Sequence, residues 1–236
     1  MNPLGLLGQM GLQRPVQPVQ HMGGAGILPI YTNYARGPAF FFVTELTGQA
    51  AGQGAIPYGR VEHGNTHQTT ALNELREETA GALKMEITQL NQCPLVRHRN
   101  HADQMIWVAP FQGLRLNGRG LEIRPFFNAN RQQFLASRAP GSLAPRAPGS
   151  WLETHDPFWV HVTVIQAIIF GQLHGPLQVT DTDGRPRIIR ARDASFLREV
   201  FRLNLDLTRP LFTATETPVT FSGYRHLIGT TTHILR

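Results

Sequence analysis

Apolar side chains dominate residues 26–32 and 39–46, the second run through Phe40, Phe41 and Phe42, and both stretches read as β-strands. Small residues then crowd 48–54, which reads as a loop. The period changes at residue 67. Ala71, Leu72, Leu75 and Thr79 recur at helical spacing, Thr66 precedes them and Gly81 follows, so a helix is expected over 67–80. Two further strands are expected over 85–96 and 105–111, joined by a basic connection of Arg97, His98, Arg99, Asn100 and His101. A strand over 121–127 is expected to follow.

Residues 137–150 contain the word RAPGS twice, and such Pro, Gly and Ser density predicts a linker or surface excursion rather than a repeat domain. Beyond it the pattern predicts a helix over 157–173 and a hairpin of 177–180 with 187–190, turning at Asp183-Gly184. A short helix with Phe196, Leu197, Val200 and Phe201 on one face comes next, and the chain reads as irregular or extended from about Asn204. Residues 1–24 mix Gly, Pro, Gln and Met without a period and are expected to be a flexible tail. Residues 25–236 then form one domain, with early buried strands pointing to a mixed sheet of the α/β class.

Composition narrows the partners. The 236 residues carry only 16% charged side chains, against roughly 25% for an average soluble domain, which places the excess Gly and Pro in long connections. The net charge is +6 and the pI near 10.4, a balance that draws anions such as nucleotides, polyphosphates, RNA or a membrane surface. Lys84 is the only lysine, so the positive charge is almost all arginine, whose planar fork pairs bidentately with phosphate; a biased base composition is the plainer account. Cys93 stands alone, which excludes an internal disulfide and a multi-cysteine zinc site. The start does not read as a signal peptide, and the longest apolar run, 160–173, contains His161 and Gln166 and is shorter than the roughly 20 residues of a membrane span. A cytoplasmic protein is expected.

The candidate chemistry lies on the helix over 67–80. Glu74, Glu77 and Glu78 are spaced i, i+3 and i+4, so their carboxylates share one narrow sector, opposite the packing sector of Ala71, Leu72, Leu75 and Thr79. Three like charges together are costly without a cation, and a hard ion such as Mg²⁺ or Mn²⁺ prefers oxygen ligands. The plainer alternative is an acidic stripe facing solvent.

The residues around this helix decide between the two. The stretch Pro57-Tyr58-Gly59-Arg60-Val61-Glu62-His63-Gly64-Asn65, followed by Asn73-Glu74-Leu75-Arg76-Glu77-Glu78-Thr79-Ala80-Gly81, resembles the Nudix box in identity and spacing. Gly59 matches the opening glycine, Glu74 the glutamate of the Arg-Glu pair, Leu75 the apolar position, and Glu77 and Glu78 the glutamate pair; Pro57, Glu62 and Gly64 match residues frequent around the opening loop. The resemblance implies an α/β/α sandwich with a mixed β-sheet. It also implies a metal-dependent hydrolase of nucleoside diphosphate derivatives, with Glu74, Glu77 and Glu78 holding Mg²⁺ or Mn²⁺. The sequence departs from the box at Asn65 for glutamate, Asn73 for arginine and Ala80 for glycine. The two asparagines would replace an ionic contact by a neutral amide hydrogen bond.

Other residues are candidates for supporting roles. Arg60, Arg97 and Arg99 are candidates for clamping phosphate oxygens, against a plainer role as solvated loop arginines. Glu122 and Glu153 are candidates for the general base. Trp107 and Phe40 to Phe42 have the chemistry to stack on a base but the spacing of core strand residues. His63 reads as a loop surface group, and Asp181, Asp183 and Gly184 as a turn rather than a calcium loop. Two alternatives stand beside the diphosphatase: a Nudix-like module that binds nucleotide or RNA without hydrolysing it, and a basic RNA-binding scaffold in which the box helix is structural.

Overall fold

The computed structural model describes residues 23–32, 37–111, 123–137, 153–172 and 174–203. The first strand, β1 (Gly24–Tyr31), is the spine of a nine-stranded mixed sheet. It pairs in parallel with β6 (His101–Phe111) from Gly24↔Gln104 to Tyr31↔Phe111, and antiparallel with β2 (Ala39–Glu45). The sheet runs β5 (Leu95–His98), β6, β1, β2, β3 (Gly54–Ala55), β9 (Pro186–Ile189), β8 (Leu177–Thr180). Off that path, β4 (Tyr58–Arg60) pairs with β1 and β7 (Thr154–His161) with β2.

Consecutive side chains of a strand point to opposite faces, so unbroken apolar runs belong to strands covered on both sides. Ala25, Ile27, Tyr31, Phe41 and Trp107 face one layer, where they meet α1 (His67–Glu78), α2 (Ile87–Leu90) and α3 (Arg124–Ser137). Leu28, Ile30, Phe40, Phe42 and Val108 face the other, against α4 (Val162–Ile169) and α5 (Ala191–Arg202). The result is an α/β/α sandwich with a mixed sheet, as expected. Trp107 and the three phenylalanines are core, not a stacking platform.

Several elements differ from expectation. The stretch 121–127, expected as a strand, enters α3 instead: Pro125 falls in the first turn, where its missing N–H costs nothing, and Ile123, Phe126, Phe127 and Asn130 bury one helical stripe. The helix expected over 157–173 begins only at Val162, because Phe158 and Trp159 alternate between the two faces as β7 pairs with β2. Within 85–96, residues Ile87–Leu90 form a helical turn closed by a Glu86–Gln89 capping box, and the strand starts after Pro94. The loop over 48–54 holds a 3-10 turn, Gly48–Ala50, and ends in β3. The last helix is longer than its apolar stripe suggested, starting at Ala191. The hairpin of β8 and β9 turns where expected, with Gly184 at φ +82°. Residues 1–22 of the expected tail, all but Ser137 of the expected excursion up to 150, Glu122, and the stretch from Asn204 onward lie outside the described residues.

Candidate active site

Thr66 caps α1, its hydroxyl oxygen accepting the Thr69 amide at 3.1 Å, and Ala71 and Leu75 bury the helix against β1 and β4. This packing turns the glutamate sector toward β4. Gly59 lies directly beneath the Glu74 carboxylate: a β-carbon at residue 59 would occupy the space of that group and push the carboxylate from this position. One residue earlier, the Tyr58 amide donates to Glu78 Oε2 at 3.3 Å. Strand β4 thus touches both carboxylates. The connection to α1 turns at Gly64, whose φ is +87°, and the Asn65 amide donates to the Glu62 carbonyl at 3.1 Å.

The far end of α1 is pinned as well. Thr154 Oγ1 donates to the Glu78 carbonyl at 2.6 Å, and Asn130 Nδ2 donates to the Ala80 carbonyl at 2.8 Å. Ala80 itself adopts φ +50°, a left-handed conformation that glycine enters without the β-carbon crowding. The departure from the box pattern at this position is therefore a locally strained alanine.

Among the described residues none of Glu74, Glu77 and Glu78 forms an ion pair. Burial, then the charges of Glu77, Glu153 and Glu62, push the Glu74 carboxyl up to about 7. Glu78 is buried, and burial together with Glu74 and Glu45 raises it well above the usual carboxylate range against the opposing charges of Arg190 and Arg192. Carboxylates in this condition gain most from an added cation. No three His, Cys, Asp or Glu groups form a ready metal cage among the described residues. The donors are nonetheless all carboxylate oxygens without an ion-pair partner among the described residues, the chemistry that a hard divalent ion prefers.

The sequence candidates fall in different places. Glu62 is exposed, and it and Glu153 both raise the Glu74 carboxyl; Glu153 is exposed at the start of β7. Arg60 is exposed and follows Gly59 directly. Arg97 and Arg99 are exposed in the β5–β6 hairpin, where Arg97 Nη1 donates to the Ala102 carbonyl at 3.1 Å. His63 is exposed. Asn65 is exposed and Asn73 half-buried, and no hydrogen bond joins their side chains among the described residues, so the neutral contact expected between them is not formed.

The positive charges that act on the glutamates are ones the sequence reading passed over. Arg190 and Arg192 open α5 from the other side of the sheet. Arg190 pairs with Glu45 and, at 2.6 Å, with Asp193, while Arg192 pairs with Asp193 at 2.9 Å and lies 4.0 Å over the Tyr58 ring. Three charges in four residues at a strand-to-helix junction were the available signal.

The frame of the site is a mixed sheet between two helical layers, with the glutamate-bearing helix α1 packed against β1 and β4. Similar solved structures include a MutT/nudix family protein from Enterococcus faecalis, 11% identical over 63% of this chain and 46% of that one, with a TM-score of 0.38. A Nudix hydrolase from M. smegmatis, RenU, is 12% identical over 78% of this chain and 84% of that one, with a TM-score of 0.38. A C. elegans Ap4A hydrolase is 14% identical over 78% and 97%, with a TM-score of 0.37. This chain spans about half the length of the first of these. No family model and no curated protein matches the sequence. No helix among the described residues is long and apolar enough to cross a membrane.

Proposed function

We propose that this chain is a Nudix-type diphosphatase, a metal-dependent hydrolase that cleaves the diphosphate linkage of a nucleoside diphosphate derivative. The observation that carries the reading is the pair Glu74 and Glu78, one helical turn apart, crowded against β4 and without an ion-paired cation of the protein's own. Glu74 and Glu78, with Glu77 beside them, are the ligands for Mg²⁺ or Mn²⁺. Such an ion, when bound, lowers the pKa of a coordinated water and neutralises charge on the phosphate oxygens. The protein's part is positioning. Gly59 and the Tyr58 amide fix the two carboxylates, and Glu153, at the margin of the cluster, takes the water's proton. Arg60, exposed at the end of β4, is the arginine of the box loop and the proposed phosphate contact. Arg97 and Arg99 belong to the separate β5–β6 hairpin and would meet only a longer substrate, such as a capped RNA end. The protein acts in the cytoplasm as a single domain over residues 25–236.

The test is turnover of a panel of nucleoside diphosphate derivatives and capped RNA with Mg²⁺ or Mn²⁺, by the parent protein and by the Glu77→Gln, Glu78→Gln double variant. Metal-dependent cleavage that falls about 10³-fold or more in the variant is expected, the several kcal/mol that a catalytic metal contributes. Nucleotide binding without cleavage would replace the hydrolase with the non-hydrolysing module.

A further inference from the structure

Asp193 has no part in the chemistry above, yet it is fully buried and collects three donors. Its Oδ2 accepts the Ile56 amide at 2.9 Å and Arg190 Nε at 2.6 Å, and its Oδ1 accepts Arg192 Nε at 2.9 Å. Arg190 extends on to Glu45 at the end of β2, and Arg192 covers the Tyr58 ring. Apart from Glu45, what this group holds belongs to one stretch of chain, residues 56–58. Ile56 is bonded through its amide and Tyr58 is covered from above. The next contacts along that stretch are the Tyr58 amide on Glu78 and Gly59 under Glu74. The group and the glutamates lie on opposite faces of the sheet, with residues 56–59 between them.

We propose that Asp193, with Arg190 and Arg192, is a positioning device for the Glu74–Glu78 pair, acting through the backbone of residues 56–59. This rests on the reading of the glutamates as the metal site. Asp181 is as fully bonded, but to its own hairpin; Asp193 reaches across to Ile56, more than a hundred residues away. Its carboxylate takes a main-chain N–H of the segment and two guanidiniums, one of which covers Tyr58 in that segment while the other ties Asp193 to Glu45 on β2, and charge-assisted bonds of that kind fix direction as well as distance. The segment is short and holds both carboxylates from below. A loosened Ile56 would therefore shift the Tyr58 amide and the Gly59 surface together.

Three proteins separate positioning from plain stability: the parent, Asp193→Asn, and Val200→Ala, which removes buried α5 volume while leaving every bond of Asp193 in place. Amide exchange would be followed in the metal-free proteins, and Mn²⁺ affinity by electron paramagnetic resonance with Mn²⁺ alone as the probe. Asp193→Asn should accelerate exchange at Tyr58 and Gly59 at least tenfold beyond Val200→Ala, compared at denaturant concentrations that equalise global stability, and should weaken Mn²⁺ at least tenfold. Equal exchange in the two variants would overturn the proposal, as would faster local exchange with Mn²⁺ affinity unchanged. A parent that takes up no Mn²⁺ would sink the metal reading itself, while the exchange comparison would still decide whether the segment is held by Asp193.

Discussion

The two helical layers treat their acidic residues in opposite ways. Toward the β8–β9 hairpin and α5, carboxylates are matched: Asp181, nearly buried, takes Arg187 and the amides of Asp183 and Arg185, and Asp156 takes Arg124 and Arg187. Burial works against ionisation at Asp156, yet the hydrogen bond and charge of Arg187, with Arg124, hold its carboxyl below the usual range. On α1 the same kind of group is left unmatched, and Glu74 and Glu78 rise. The chain has arginines to spare, so the contrast is not one of supply. Acidic groups that serve structure are neutralised within the fold; those on α1 have no ion-pair partner among the described residues, the condition that the proposed metal site requires.

The sharpest way to break this contrast is to remove a cation from the matched side. Arg187→Ala strips buried Asp181 of its cation, leaves Asp156 with Arg124 alone, and takes the cover from the Phe158 ring, 4.7 Å away. Leaving buried charge uncompensated costs about 3 kcal/mol or more, read as a lower urea midpoint. A loss below about 1 kcal/mol would mean these pairs behave as exposed ones, and the two layers would no longer differ.

A smaller effect of opposite sense is expected on α1. Glu78→Gln keeps an oxygen for the Tyr58 amide and removes a buried charge, so the metal-free variant should be more stable than the parent at pH 8 by about 1 kcal/mol. The same logic gives a pH dependence. Glu74 titrates near 7 in the folded chain and near its ordinary 4.5 unfolded, so between these values the folded state binds more protons. Stability of the metal-free protein should therefore fall as pH rises through that window and level off above it, with Mn²⁺ opposing the fall. Glu74→Gln should flatten the slope. A slope unchanged in that variant would show that Glu74 does not carry the effect.

What the sequence disclosed follows from how local each feature is. Strands β1, β2 and β6, the helix α1 and the β8–β9 turn were legible because each declares itself by its own period, cap or glycine. The stretches 121–127 and 157–173 were not, since aromatic runs such as Pro125-Phe126-Phe127 suit either element until a partner strand decides. That Glu74 and Glu78 share the side of α1 turned to β4 was legible from their spacing. The device on α5 was not, because it depends on Gly54 pairing with Ile189 across the sheet, with the Arg190 amide bonded to the Gly54 carbonyl at 3.1 Å. Only that distant pairing sets Arg190 against Glu45 and Asp193 against Ile56.

The smallest test uses one strained residue from each layer. Ala80 and Asp156 are the non-glycine residues with positive φ among those described, at +50° and +38°. Glycine at either position relieves about 1–2 kcal/mol of left-handed strain and costs roughly 0.5–1 kcal/mol of unfolded-chain entropy. At Ala80 the remaining loss is one buried methyl, about 0.8 kcal/mol, so Ala80→Gly should change stability by less than about 1 kcal/mol in either direction. At Asp156 the substitution also removes the ion pairs to Arg124 and Arg187, so Asp156→Gly should be the more destabilising of the two in urea unfolding. Equal effects would mean that the Asp156 pairs add nothing beyond what their exposed ends retain in water, and would bring the matched layer down to the level of the unmatched one.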